Sequence, residues 1–214
     1  PGIPQKDNTY DVVIAGEITT KADLSELDKR VRRAIEGIGY TPDVSPVFNS
    51  RDLKIMQLLS KQSPNIGDMV DKEGAGDQGF MIGYATRECS SRMPFPIAYA
   101  HALTKRLTKV RKEEKLKWLR PDGKSQVTVS YERGTPKIEK ITIAAQHADN
   151  VSNEEIREGI LEVVVESVIG EYVLGGKKLE DITIVNGGDG KKVKQGRFVI
   201  GGPEGDTGVT GRKI

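Results

Sequence analysis

The chain is poor in the residues that staple small folds together. Its 214 residues include one cysteine, Cys89, two histidines and one tryptophan, and only 5% are aromatic. One cysteine excludes an intrachain disulfide, and with two histidines beside it there are too few ligands for a usual structural zinc site. Cys89 reads as a small free thiol. Neither sign of charge predominates: 33 Lys and Arg stand against 31 Asp and Glu. That balance argues against a nucleic-acid or membrane-surface protein, so any basic site is a local cluster. No apolar run approaches the ~20 residues of a membrane span, and no signal peptide opens the chain. A reducing, cytoplasmic setting is the simplest expectation. The chain starts at Pro1 and stops at Ile214 just after a Gly-rich, charged segment, so both ends read as cut.

What is present suits a folded domain or two: 36% of the residues are hydrophobic and 30% charged, enough to bury a core. Tyr10 to Ile18 (YDVVIAGEI) is rich in β-branched residues and reads as a buried strand. Leu24, Leu27, Val31, Ala34, Ile35 and Ile38 recur at helical steps, with Gly39 as a stop. Leu53 to Leu59 reads as a short helix. Lys61 to Gly76 is polar and lacks a sustained period, the mark of a long loop that is either functional or disordered. Gly79 to Ala85 reads as a strand. Ile97, Ala100, Leu103, Leu107 and Val110 outline a long helix entered after Pro96. Ser125–Tyr131 and Ile138–Ala144 read as a hairpin turning at Arg133-Gly134-Thr135-Pro136. Ser152 and Glu155 fit a capping box, opening a helix whose apolar face continues through Ile156, Ile160, Val163, Val164 and Ile169. Short strands are expected at Ile182–Val185 and Phe198–Ile200, flanking a Gly- and Lys-rich loop. Hairpins mixed with helices make the fold class α+β. There is no G-x-x-x-x-G-K-[ST] and no strand-linked G-x-G-x-x-G, so the common nucleotide folds lack support.

Three Gly-rich segments carry the chemistry. Gly74-Ala75-Gly76-Asp77-Gln78-Gly79 allows close backbone approach to a ligand; it also fits a tight turn before a strand. Arg120-Pro121-Asp122-Gly123-Lys124-Ser125 fits a turn equally well, or a strand mouth where Lys124 holds a phosphate. The third runs from Arg197 to Lys213, where flexible backbone beside Arg and Lys suits a polyphosphate and a solvated loop is the plain alternative. His101 and His147 fall in structural segments and read as packing or hydrogen-bonding residues.

Together these segments resemble one family. GAGDQGFMIGY at 74–84 is similar along its length to a characteristic motif of S-adenosylmethionine synthetases. GEITT at 16–20, KQSPNI at 61–66, RPDGKSQVT at 120–128 and GRFVIGGPEGDTGVTGRK at 196–213 also resemble that family, in its order and approximate spacing. The resemblance implies repeated α+β domains with pseudo-threefold symmetry, incomplete here. Residues 1–76 would be part of an N-terminal domain ending in a gating loop, 77–195 a central domain and 196–214 the start of a third. It further implies ATP and L-methionine as substrates, Mg²⁺ and K⁺ as cofactors with their main ligands outside this chain, and a homodimer or dimer of dimers. Position by position, it implies methionine contacts for Glu17, Gln62 and Asp206. It implies ATP contacts for Asp122, Gly123, Lys124, Arg197, Phe198, Asp206, Arg212 and Lys213. Lys124, Arg212 and Lys213 are the expected catalytic cations, and Asp77 lines the same pocket.

The sequence also departs from the family's pattern. The histidine-bearing GHPDK segment and a GGGxFSxKD-like segment, which supply the catalytic His, metal-binding acids and further lysines, are absent from these 214 residues. The family's short Asn-Pro-Ser/Thr-Gly before Arg-Phe is replaced by Asn186 and the longer GGDGKKVKQ. A non-catalytic subunit or inactive homologue pairing with an active synthetase is therefore the alternative. The intact Glu17, Lys124, Asp206, Arg212 and Lys213 argue against it. An unrelated ATP-dependent phosphotransferase is disfavoured by the missing P-loop and kinase motifs.

Overall fold

A computed structural model describes residues 2–4, 10–45, 48–76, 78–148, 150–173 and 183–184. The chain divides into two compact units, Pro1–Gly83 and Tyr84–Ile214.

In the first unit, β1 (Gly2–Pro4), β2 (Tyr10–Ile18) and β3 (Lys54–Lys61) form a sheet in the order β1-β2-β3. The first pair is antiparallel and β2–β3 is parallel, with Val13 beside Met56 and Glu17 beside Ser60. A parallel pair needs a crossover, and α1 (Leu27–Ile38) lies in it; Gly39 ends the helix in the left-handed conformation. Leu27, Val31 and Ile35 make its half-buried stripe. Arg32 ties the helix to the approach to β3: its guanidinium donates to the carbonyls of Ser50, Arg51 and Leu53 and pairs with Asp28. Phe48 sits edge-on between Tyr10 and Tyr40.

Two expectations are corrected in this unit. The segment read as a helix over Leu53–Leu59 is the strand β3. Its apolar residues satisfy both periods, and alignment with β2 decides, because a β-branched strand leaves a row of backbone groups for a neighbour to pair. Leu53 is buried, Ile55 and Leu59 are half-buried, and Met56 and Leu58 are exposed. The stretch read as a structureless loop contains α2 (Pro64–Asp71). Proline is tolerated at a first helical position because its missing N–H would be unpaired there, and the Ser63 carbonyl accepts from Ile66 and Gly67. Val70 stays exposed.

The strand expected over Gly79–Ala85 does not form. The segment pairs with no strand, and Phe80, Met81, Ile82 and Tyr84 are exposed by 88%, 97%, 88% and 73%. Its composition favours a strand, but a strand needs a hydrogen-bonding neighbour, and no described strand supplies one.

The second unit is built on a long hairpin, β4 (Leu119–Glu132) and β5 (Thr135–His147), with β6 (Thr183–Ile184) parallel to β5. Arg133 and Gly134 both take positive φ, 52° and 84°, the signature of a two-residue turn that matches strand twist. One face of the hairpin is covered by α3 (Phe95–Lys112), α4 (Asn153–Ile160) and α5 (Glu166–Val173). Ala100, Leu103, Leu107 and Val110 of α3 meet Val127, Ile141 and Ile143 of the sheet in a single core. The capping box at Ser152 and Glu155 is present. The helix it opens is not continuous: a π-turn (Leu161–Val165) joins α4 to α5, and α5 kinks at Gly170. The extra residue lets both Val164 and Val165 be buried in sequence with Ile160 and Ile169, and Arg106 of α3 donates to the Val163 carbonyl at 2.9 Å. The architecture is α+β. Among the described residues no helix is long and apolar enough to cross a membrane.

Leu103 is fully buried between α3 and the sheet. Leu103→Ala is expected to cost about 2–5 kcal/mol, read as a lower denaturant midpoint, whereas Ile97→Ala on the outer face of α3 should leave the midpoint nearly unchanged.

Candidate substrate site at the strand ends

Glu17 and Gln62, far apart in sequence, are brought together at the carboxyl ends of two parallel strands. Glu17 is exposed on β2, in register with Ser60 of β3. Gln62 directly follows β3; its N–H donates to the Ile18 carbonyl at 3.5 Å, and its side-chain oxygen accepts from the Thr19 hydroxyl at 3.2 Å. Gly16, just before Glu17, has φ 152°, a conformation that L side chains rarely adopt, so this turn of the backbone favours glycine. An open cleft of about 660 Å³ lies beside these strand ends, with Thr19, Thr20, Lys21, Ser60, Lys61 and Asp71 in its lining; Glu17 and Gln62 are not among the residues that line it. The strand-end position is where open parallel sheets place ligands. Of this lining, Thr19 and Lys61 fall within the GEITT and KQSPNI segments, whereas Lys21 and Ser60 flank them and carry no motif of their own.

Asp122, Gly123 and Lys124 lie within β4, so the Asp-Gly pair is not the turn it resembles. The strand is irregular instead: Leu119 pairs with His147 but Gly123 with Ala145, leaving extra residues on β4 around Arg120–Asp122. Such a bulge re-aims side chains without ending the strand. The Asp122 N–H donates to the side-chain oxygen of buried Gln146 at 3.3 Å. Gly123 faces the helices, where an added Cβ would come within 3.2 Å of the Leu107 side chain and 3.8 Å of the Ala144 carbonyl. Ser125, on the same face, donates to the Ala100 carbonyl at 2.6 Å. Lys124 points the other way, exposed on the uncovered face with Gln126 and Thr128. A packing requirement therefore accounts for Gly123. Gly123→Val is expected to destabilise by about 1–3 kcal/mol through overpacking against Leu107, measured by thermal melting; an unchanged melting temperature would remove that role.

His101 is exposed on α3, and the His147 Nδ1 lies 2.9 Å from the Ala148 carbonyl. The Cys89 thiol donates to the Met93 carbonyl at 2.8 Å. Asp77, Arg197, Phe198, Asp206, Arg212 and Lys213 lie outside the described residues, as does the strand expected at Phe198–Ile200. Among the described residues no group of three or more His, Cys, Asp and Glu side chains is placed to hold a metal ion.

Comparison with known proteins decides the family. The profile of the S-adenosylmethionine synthetase central domain matches residues 72–189, more than half of the chain. This chain belongs to the S-adenosylmethionine synthetase family. It is 44% identical over 211 residues to an S-adenosylmethionine synthase of Syntrophobacter fumaroxidans. It is 46% identical over 210 residues to one of Wolinella succinogenes and 46% over 208 to one of Nitratidesulfovibrio vulgaris. Each alignment takes in 94% of this chain but 51%, 50% and 50% of the relative. The chain thus spans about half the length of the curated synthetases it matches.

Proposed function

We propose that this chain supplies part of an enzyme that makes S-adenosylmethionine from ATP and L-methionine. The observation that carries the reading is the 44–46% identity to S-adenosylmethionine synthases over 94% of the chain. The meeting of Glu17 and Gln62 at two strand ends supports it. In the reaction, the methionine sulfur attacks C5′ of ATP; the C5′–O bond breaks and triphosphate leaves with the electron pair, to be hydrolysed to pyrophosphate and phosphate. A thioether needs no base, so the barrier lies in orientation and in charge on the leaving group. Glu17 and Asp206 hold the methionine ammonium and Gln62 orients it. Lys124, Arg197, Arg212 and Lys213 neutralise the growing charge on the triphosphate, Asp122 and Phe198 contact the nucleotide, and Asp77 lines the pocket. Residues 62–76 form the gate, α2 moving with it. The three-part division at 76/77 and 195/196, pairing of subunits and a cytoplasmic setting belong to the same proposal, as does the use of Mg²⁺ and K⁺ through residues beyond those described.

The test is a chimera in which these 214 residues replace the matching half of the Wolinella succinogenes synthase. With ATP, labelled methionine, Mg²⁺ and K⁺, it should form labelled S-adenosylmethionine. A chimera that folds but makes no product would sink the reading.

A further inference from the structure

The exposed Phe80–Tyr84 run ends on an unusually well-tied loop. The Thr86 N–H donates to the Arg92 carbonyl at 2.9 Å, closing residues 86–92 into a ring, and Arg92 takes φ 60° to do so. Inside this ring one oxygen of the Glu88 carboxylate accepts from the Phe95 N–H and the Tyr131 hydroxyl, each at 2.9 Å. The other oxygen accepts from the Thr86 hydroxyl at 3.2 Å. The Phe95 N–H is the first donor of α3, a helix whose N-cap, Pro94, offers no side-chain bond and whose second residue is Pro96. A carboxylate there satisfies a donor that would otherwise go unpaired and sits at the positive end of the helix dipole. Tyr131 is near the turn end of β4. Glu88 therefore joins the loop to a helix and a strand that themselves belong to the unit's core. These bonds lower the pKa of its carboxyl, the Phe95 N–H first and the Tyr131 hydroxyl second, and raise that of the Tyr131 phenol.

We propose that Glu88 is a positioning residue that anchors the carboxyl end of the GAGDQGFMIGY segment to α3 and β4. The anchor fixes Tyr84, the last residue of that segment and the first of the second unit, to α3 and β4; that the segment serves the substrate site rests on the synthetase reading above. The anchor works by accepting hydrogen bonds, not by carrying charge to a reacting atom. Glutamine in its place keeps one oxygen for Phe95 and Tyr131, whereas alanine keeps none.

Hydrogen–deuterium exchange on the 214-residue chain tests the anchor itself. Glu88→Ala should speed exchange over residues 84–95 by ~10-fold or more while the β5 core stays protected; Glu88→Gln should stay within about threefold of the parent. Unchanged exchange in Glu88→Ala, or equal loss in both variants, overturns the proposal. Should Glu88→Ala fail to fold, Tyr131→Phe decides: faster exchange confined to 84–95 supports the anchor and unchanged exchange overturns it. In the chimera, Glu88→Ala should raise KM for methionine or ATP by ~10-fold with kcat nearly kept, and Glu88→Gln should restore it. Loss of kcat in both variants would make Glu88 a reacting carboxylate and overturn the positioning role. The exchange readout needs no activity, so an inactive parent chimera would defeat the synthetase reading and leave the anchor to stand or fall alone.

Discussion

Expressed by itself, the 214-residue chain is expected to form S-adenosylmethionine at least ~10³-fold more slowly than the chimera that completes it. Its sequence contains neither the GHPDK segment nor the GGGxFSxKD-like segment of the family, which supply a histidine, metal-binding acids and further lysines. Removing a single preorganised donor to a developing negative charge typically costs ~10²–10³ in rate, and here several are missing at once. Lys124, Arg197, Arg212 and Lys213 alone would leave the departing triphosphate partly unneutralised. The measurement is product formation from ATP and labelled methionine by both proteins at equal concentration, with Mg²⁺ and K⁺ present. Turnover by the bare chain within tenfold of the chimera would show that the reacting groups lie within these residues and that the assignment of roles to the absent segments is wrong.

Lys124→Ala in the chimera is expected to raise KM for ATP by ~10–100-fold and to leave the melting temperature where it was. The two halves of that expectation come from one fact. Lys124 is exposed on the uncovered face of the hairpin, opposite the helices that bury Val127 and Ile141. Truncating it removes no packing, so any effect reports on what the ammonium touches in the working enzyme. Lys124→Arg should recover part of the loss, because charge is kept while the point-like ammonium is replaced by a wider planar group. Lys137→Ala is the control, since Lys137 pairs with Glu132 at the hairpin tip, 2.7 Å away, remote in sequence from the RPDGKSQVT segment. An unchanged ATP dependence in Lys124→Ala would remove this residue from the site; a fall in melting temperature would show that it has a structural duty.

The elements legible in the sequence were those whose local signals agreed with one another. β2 runs from Tyr10 to Ile18 as its β-branched run indicates, although it is half-buried at Tyr10–Ile14 and exposed from Ala15 on, where its composition suggests a buried strand; α1 stops at Gly39, and Ser152 and Glu155 cap α4. The hairpin turns at Arg133-Gly134, with strands longer than the apolar alternation alone marks out. What was not legible depended on partners. Ile55, Leu58 and Leu59 suit a helix as well as a strand, and only the edge of β2 chooses between them. Phe80–Tyr84 has the residues of a strand but no described neighbour to pair with. Asp122-Gly123 reads as a turn until the register of β5 shows it carried through β4 on a bulge. For the site, the family resemblance named Glu17 and Gln62, and the parallel register of β2 and β3 sets the two strand ends that carry them side by side. Glu88 has no motif of its own, because its role is written in the positions of Phe95 and Tyr131, which only folding brings to it.

The π-turn at Leu161–Val165 makes the second unit locally tolerant of a change in chain length. Deleting one residue elsewhere in α3 or α4 would rotate all later side chains by about 100° and turn Leu107 or Ile160 out of the core. Deleting one within 161–165 would close the wide turn into regular α-helix. Ile156, Ile160, one buried valine and Ile169 would then recur at four-residue steps on an unbroken face. What would be lost is the seat of Arg106 on the Val163 carbonyl and one of two adjacent buried valines. Loss of a single codon is thus expected to be absorbed at this turn, while the same loss a few residues away would scramble the core.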